Sequence, residues 1–134
     1  MPHLYLNDNN KNMIKEAYCS FEVAKLLKEN GFDICVKSFY RNGTLKHNSC
    51  ALAYYAMGDN ILPAPTHQLA MAWLRQQGIF FAIIPYVEND NWWVKNVWDI
   101  VFYDTNGLPA GGFPIDGFEE AVEAALLYAL EKLV

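Results

Sequence analysis

Cys35, His47 and Cys50 are residue types that bind zinc, and a predicted hairpin brings them near one another. An Asn-Gly pair at positions 42–43 lies between two apolar-rich runs, which is a strong signal for a two-residue hairpin turn. In that register Cys35 pairs with Cys50, and Ser38 pairs with His47. The sequence offers no evident fourth ligand, and His47 has the parity that points to the other face of the hairpin. We therefore predict free buried thiols and no metal here.

Asp99 and His67 are the two polar residues that could do acid–base chemistry. Asp99 lies in a run of large apolar residues, and a carboxyl group buried in such a run can act as a general acid. The alternative is a half-exposed position on an edge strand, or a charge that blocks edge pairing. His67 follows Thr66, a predicted helix N-cap, and the alternative there is a solvent-facing residue in the first turn. No second carboxylate or histidine is placed beside either residue, so the sequence assigns no catalytic residue.

The run 79–87 is apolar at both parities, which is unusual for an antiparallel strand with one face in water. Helices in one layer cover only one face of such a sheet, so the second face needs another cover, which is a partner subunit, the N-terminal segment or a ligand. Trp92, Trp93 and Trp98 follow on the next predicted strand, and aromatic residues are favoured at protein interfaces. Three interpretations stay open: a fully buried central strand, a homodimer that uses the second face, and a site for a ligand or another protein. The candidate interaction residues are Phe80, Tyr86, Trp92, Trp93 and Trp98.

Local signals at helix ends and chain reversals define the elements that must position these residues. Ser20 and Thr66 are predicted N-caps, because a hydroxyl there accepts an early helical N–H. A third helix is predicted to begin with a capping box, with Asp116 at the N-cap and Glu119 three residues later. In chain order the predicted elements are a helix over 21–30, a hairpin of 34–41 and 44–50, a strand over 50–57, a helix after Thr66, a hairpin of 79–87 and 92–103, a short strand or loop over 110–115, and a helix after Asp116.

Helices and antiparallel strands intermix in this order without a βαβ rhythm, which predicts the α+β class. We expect a single domain over residues 1–134, with one antiparallel sheet of about five to six strands packed with three helices. Residues 1–12 are expected to form an edge strand or a loose tail. The order of a helix followed by a hairpin occurs at 20–50 and again at 66–103. A faint internal duplication would produce this repeat, and so would recurring helix-cap signals alone.

The composition excludes several classes of protein. Of 134 residues 53% are hydrophobic, and 15 acidic residues against 10 basic ones give a net charge of −5. The basic residues are scattered, and binding to a phosphate backbone needs them clustered, so direct nucleic-acid binding is not expected. No run is long and apolar enough to span a membrane, and the N-terminus lacks the pattern of a secretory signal. The chain has three cysteines and no C-x-x-C pair, which favours a protein whose thiols stay reduced. We therefore expect a cytoplasmic protein with no membrane partner.

Three blocks of the chain, 20–33, 64–75 and 117–126, resemble small proteins encoded in prophage and mobile-element regions of gut Bacteroidetes. The matching strings are SFEVAKLLKENGFD, APTHQLAMAWLR and GFEEAVEAAL. These residues are helix caps and core faces, and the family has no assigned activity. The resemblance therefore implies kinship and genomic context but no mechanism.

Together these observations favour a non-catalytic accessory or protein-interaction module of a phage or mobile element, which acts through its aromatic sheet face and can form a homodimer. The alternative is a small-molecule-binding protein or a small enzyme with a pocket near Trp92, Trp98 and Asp99. No cofactor is expected. The expected partners are a second copy of the chain or an unidentified protein.

Overall fold

The computed structural model describes residues 14–52, 60–88, 92–104, 106–107 and 109–134, with the backbone alone for 48–52, 92–93 and 109–112. The helices are α1 (Phe21–Glu29), α2 (His67–Gln76) and α3 (Phe118–Tyr128), and α3 continues as a π-helical turn, Ala129–Leu133. The strands are β1 (Val36–Arg41), β2 (Thr44–Leu52), β3 (Ile61–Pro63), β4 (Phe80–Glu88), β5 (Trp92–Tyr103) and β6 (Pro109–Asp116). The predicted α+β class is confirmed. The segment 1–12 and most of the predicted strand after Cys50 lie outside the described residues.

Side-chain caps begin α1 and α2 as the sequence predicts. Ser20 Oγ accepts a hydrogen bond from the backbone N–H of Val23 at 3.2 Å. Thr66 Oγ1 accepts one from the N–H of Leu69, also at 3.2 Å. Each cap satisfies a donor that the first turn of a helix leaves without a helical partner.

The starts of α1 and α2 are adjacent in space. The N–H of Cys19 donates to the carbonyl of Pro65 at 2.9 Å, and the N–H of His67 donates to the carbonyl of Ala17 at 2.9 Å. The segment before α1 therefore runs antiparallel to the segment before α2. Side chains at the two helix starts are brought together as a result.

The predicted capping box at α3 is wrong. Asp116 is the last residue of β6, where it pairs with Val97, so the sheet ladder keeps it from acting as a cap. Gly117 is the N-cap instead and forms no side-chain cap bond. Its φ of 89° lies in the left-handed region that glycine adopts without steric cost, and its N–H donates to the carbonyl of Asn96 at 2.7 Å. A backbone turn therefore begins this helix.

The six strands in the described ranges form two three-stranded antiparallel sheets, whereas the sequence predicts one sheet. The first sheet has the order β2-β1-β3 and the second has the order β4-β5-β6. The chain leaves the first sheet at Pro63 and Pro65, which have no N–H to extend a ladder, and α2 then separates β3 from β4. The central strand of the first sheet is β1, which comes first of its three strands in the chain, whereas the central strand of the second sheet is β5, which comes second. The two sheets therefore do not repeat one topology.

The first hairpin follows the predicted register near its turn and departs from it further along. Ser38 pairs with His47 as predicted, and its Oγ lies 2.6 Å from His47 Nδ1. A β-bulge between Val36 and Ser38 then shifts the register, so that Val36 pairs with Leu52. β2 has three more residues than β1 between these two pairs, and the turn does not predict this because it fixes only the pairs next to it.

The bulge removes the predicted pairing of Cys35 with Cys50. Cys35 lies before β1, and its side chain is exposed and free, so the prediction of burial is wrong for this thiol. The side chain of Cys50 is outside the described set. Cys19 is a free buried thiol. Within the described side chains, no group of three or more histidine, cysteine, aspartate or glutamate residues could hold a metal ion.

The helix α3 connects the main parts of the core. It packs against all three strands of the second sheet and also against α1 and α2. The buried residues of α3 are Ala121, Val122, Ala125 and Leu126. The second sheet meets this helix layer through Ile100 and Phe102, which belong to the same buried cluster. One face of the second sheet is therefore covered by helix.

Candidate functional site

The other face of the second sheet is the first candidate site. In the antiparallel register of β4 and β5, Phe80 pairs with Tyr103, Ala82 with Val101, and Ile84 with Asp99. Residues directly opposite each other, and alternate residues along a strand, share one face of a sheet. We call the six residues Phe80, Ala82, Ile84, Asp99, Val101 and Tyr103 the outer face.

The outer face presents large apolar side chains to solvent. Phe80 is 48% exposed, Ile84 44% and Tyr103 38%. The intervening residues of the same strands, Phe81, Ile83, Ile100 and Phe102, belong to the helix-covered core. This alternation explains why the run 79–87 is apolar at both parities: one parity fills the core and the other forms the outer face.

The predicted interaction residues do not all lie on this face. Phe80 does, whereas Tyr86 is half-buried at an irregularity in the ladder between Pro85 and Val87. Trp98 pairs with Pro85 on the inner face and makes an edge-on contact with Phe118 of α3, with ring centroids 4.9 Å apart. Its indole Nε1 is buried and has no hydrogen-bond partner among the described residues. Trp98 is therefore a core residue here.

The remaining pair of predicted tryptophans lies at the far end of the same hairpin. The backbone of Trp92 pairs with Glu88 and that of Trp93 with Val87. Their side chains lie outside the described set.

The pocket expected near Trp98 and Asp99 is not formed by these two side chains together. They are neighbours in β5 and therefore point to opposite faces of the sheet. Trp98 contacts α3, whereas Asp99 is half-buried on the outer face opposite Ile84. Sequence reasoning placed both on one surface because it weighed aromatic content above strand parity.

His67 forms the second candidate site. We expected a solvent-facing residue, but His67 is only 7% exposed. Its Nε2 lies 2.7 Å from Oε2 of Glu123, in the second turn of α3. The expectation fails because the first turn of α2 packs against α3, which a helix-cap signal does not reveal. Nothing in the residue pattern indicates this partner, since Glu123 fits equally well as a charge that favours the positive end of a helix.

Glu123 joins all three helices. Besides His67, its Oε2 accepts a hydrogen bond from the backbone N–H of Ser20 at 3.0 Å. Burial acts to raise the pKa of the Glu123 carboxyl, but hydrogen bonds from His67 and Ser20 and the charge of His67 outweigh it, so the pKa lies below its ordinary value. The carboxylate is therefore the favoured form at neutral pH.

A pocket of about 460 Å³ opens beside this cluster. Its lining includes His67, Ser20 and the three carboxylates Glu119, Glu120 and Glu123 of α3. The nearby thiol of Cys19 does not supply a nucleophile, because burial, and then the charge of Glu123, raise the pKa of that thiol far above its ordinary range. Nε2 of His67 and Oε2 of Glu123 are both engaged in holding helices together.

The described residues form an α+β fold in which one apolar sheet face is not covered by any described helix, and in which a buried histidine pairs with a half-buried carboxylate. Comparisons with models of protein families, with curated proteins and with solved structures found no match to this chain. Among the described helices, none combines the length and the apolar character needed to cross a membrane.

Proposed function

We propose that this chain is a non-catalytic accessory protein of a phage or mobile element that works by protein–protein contact, and that its outer face binds a second copy of the chain. The observation behind this proposal is the exposure of Phe80, Ile84 and Tyr103 on one regular sheet face. An exposed apolar patch on a protein surface is often functional, which favours this face as an interaction site. The genomic context comes from the resemblance of 20–33, 64–75 and 117–126 to small mobile-element proteins.

A flat partner suits this face better than a small molecule. Small-molecule sites are concave and enclose most of the ligand surface, whereas most of the outer face is one side of a regular two-stranded ladder, with a pocket of about 480 Å³ at its Phe80–Tyr103 end. A second sheet can pack on such a face at about 10 Å and cover its apolar side chains together.

The histidine–carboxylate pair supports a structural role and not a catalytic one. His67 Nε2 and the backbone N–H of Ser20 both use Glu123 Oε2, and each contact ties α3 to the start of another helix. The adjacent Cys19 thiol is held protonated. We therefore assign the proposed protein–protein contact to the outer face.

Light scattering coupled to size-exclusion chromatography tests the proposal. At hundred-micromolar protein we expect a mass near twice 15.3 kDa, and at low micromolar protein a shift toward the monomer. Ile84→Lys should give a monomer at both concentrations, because a charge then lies in the apolar interface. Leu133→Lys is the matched control, since Leu133 is 45% exposed but lies at the end of the helix layer. A wild-type monomer at every concentration, or equal behaviour of the two variants, overturns the proposal.

A further inference from the structure

We infer that two copies pack outer face to outer face about a two-fold axis that crosses the strands over Ala82 and Val101, so that Asp99 of each copy accepts a hydrogen bond from Tyr103 of the other. This inference rests on the proposed self-association and specifies its geometry. It makes Asp99 and Tyr103 the residues that determine register and partner.

The outer face has the spacing that such an axis requires. Ala82 and Val101 are directly opposite each other in the ladder. Asp99 and Tyr103 lie two residues to either side of Val101, at about 6.6 Å along the strand. Phe80 and Ile84 lie two residues to either side of Ala82 in the same way. A rotation about this axis therefore exchanges aspartate with tyrosine and phenylalanine with isoleucine.

The side chains also alternate in size along the face. The row at the axis has the small residues Ala82 and Val101, and the rows on either side contain the large ones. In the proposed arrangement Phe80 of one copy lies over Ile84 of the other. Large apolar side chains therefore pack against each other at both ends of the interface. A two-fold interface uses the same patch of both copies, so the patch must be complementary to itself in this way.

The polar groups distinguish this arrangement from the other two-fold packing of the same sheets. An axis that runs along β5 would place Asp99 over Asp99 of the other copy, and two like charges would face each other in an apolar interface. An axis that crosses the strands places a carboxylate, which only accepts hydrogen bonds, over a phenolic hydroxyl, which donates one.

Asp99 and Tyr103 are the polar side chains among the six residues of the outer face, and neither side chain forms a hydrogen bond with a described residue of its own chain. Burial of an unpaired carboxylate is costly. Self-association is therefore compatible with Asp99 only if the other copy supplies a donor, and Tyr103 is the donor that the face offers.

The size of the face predicts a weak dimer. Two strands that are about 4.8 Å apart and about five residues long give a footprint of about 10 Å by about 17 Å per copy, which is below the range of stable specific interfaces. Association should therefore be reversible in the micromolar range. Residues that fix the register of the two copies then matter more than they would in a large interface.

A charge-exchange experiment tests the inference. Asp99→Lys should not dimerise with itself. The introduced lysine of each copy would face Tyr103 of the other, so neither of the two aspartate–tyrosine hydrogen bonds could form. Tyr103→Asp should not form its own dimer either, because the introduced carboxylate would face Asp99 of the other copy. In an equimolar mixture each heterodimer has one lysine–aspartate pair and one native aspartate–tyrosine pair. We expect each single variant to lose at least about tenfold in association constant and the mixture to recover within about threefold of wild type.

The readout is native mass spectrometry of isotope-labelled and unlabelled variants, with circular dichroism and melting curves to establish that each is folded. Glu29→Lys on the exposed side of α1 controls for the change in net charge. If a charge variant does not fold, the uncharged pair Asp99→Ala and Tyr103→Phe gives the same test, because each variant alone loses both hydrogen bonds and their heterodimer retains one native contact. A wild-type dimer with Asp99→Lys dimerising equally well overturns the register while the proposed function stands. A wild-type monomer overturns both.

Discussion

Oε2 of Glu123 lies 2.7 Å from Nε2 of His67, and the same oxygen accepts a hydrogen bond from the backbone N–H of Ser20. One carboxylate atom in α3 thus contacts the first residue of α2 and the cap residue of α1. The helix layer that covers the inner face of the second sheet is held together at this atom. Its contribution to stability can be measured directly.

Glu123→Gln should lower the free energy of unfolding by about 1–2 kcal/mol at neutral pH, because hydrogen bonds to a charged group are replaced by bonds to a neutral amide at a partly exposed site. Urea unfolding followed by circular dichroism gives the value. Glu119→Gln, an exposed position on the same helix, removes the same charge without these contacts and should change stability little. Equal midpoints for the two variants would contradict the role given to Glu123.

The contribution of Glu123 should depend on pH. Because its folded pKa lies below the ordinary value near 4.5, the stabilisation is fully present above that value and is lost as the pH falls through the lower folded value. The difference in unfolding free energy between wild type and Glu123→Gln should therefore shrink as the pH falls below the ordinary glutamate value. A difference that grows on acidification would refute the assignment.

The cysteines should differ sharply in reactivity. Cys35 is exposed, whereas Cys19 is buried and its thiol has a raised pKa, and only the thiolate reacts with alkylating agents. In a Cys50→Ser background, native protein at pH 8 should take up one iodoacetamide equivalent at Cys35, and Cys19 should react only after unfolding. Peptide mass mapping identifies the site. Labelling of Cys19 in the native state would show that the start of α1 is open.

Gly117→Ala should destabilise the chain more than Gly107→Ala. Both glycines have positive φ, so alanine strains the backbone at each position. A Cβ at 117 would displace only the flexible carboxylate end of Glu120, but Gly117 is held between β6 and α3 with its N–H bonded to the carbonyl of Asn96, whereas nothing lies within 4 Å of a Cβ at 107. We expect about 1 kcal/mol for Gly107→Ala and a larger loss for Gly117→Ala. Thermal melting of both variants tests the order, and a smaller loss at 117 would be inconsistent with the observed turn.

The features that were predicted correctly are those that residues close together in the chain determine. Ser20 and Thr66 cap their helices because the bond is made within three residues. The pairing of Ser38 with His47 follows from a two-residue turn between them. That both faces of β4 are apolar is also visible in sequence, but the sequence left open whether the second face is buried, covered by a second copy or open to another partner.

The features that were missed depend on residues far apart in the chain. The split into two sheets follows from where α2 packs, and the burial of His67 depends on Glu123, 56 residues away. The capping box at Asp116 failed because pairing with Val97 competes for the same residue. The exclusion of Trp98 from the outer face is a matter of register, which strand parity would have given once β5 was aligned with β4.

The bond between Ser20 and Glu123 spans 103 positions of the chain. During synthesis, a polypeptide elongated as far as β6 has made both sheets but not the helix that covers the second one, so both sides of the β4–β5 hairpin are then open to water. Long-range closure of this kind is slow and leaves apolar strands available to other molecules meanwhile. Because α3 follows β4, β5 and β6 in the chain, the inner face of the second sheet gains its helical cover only after all three strands have been made.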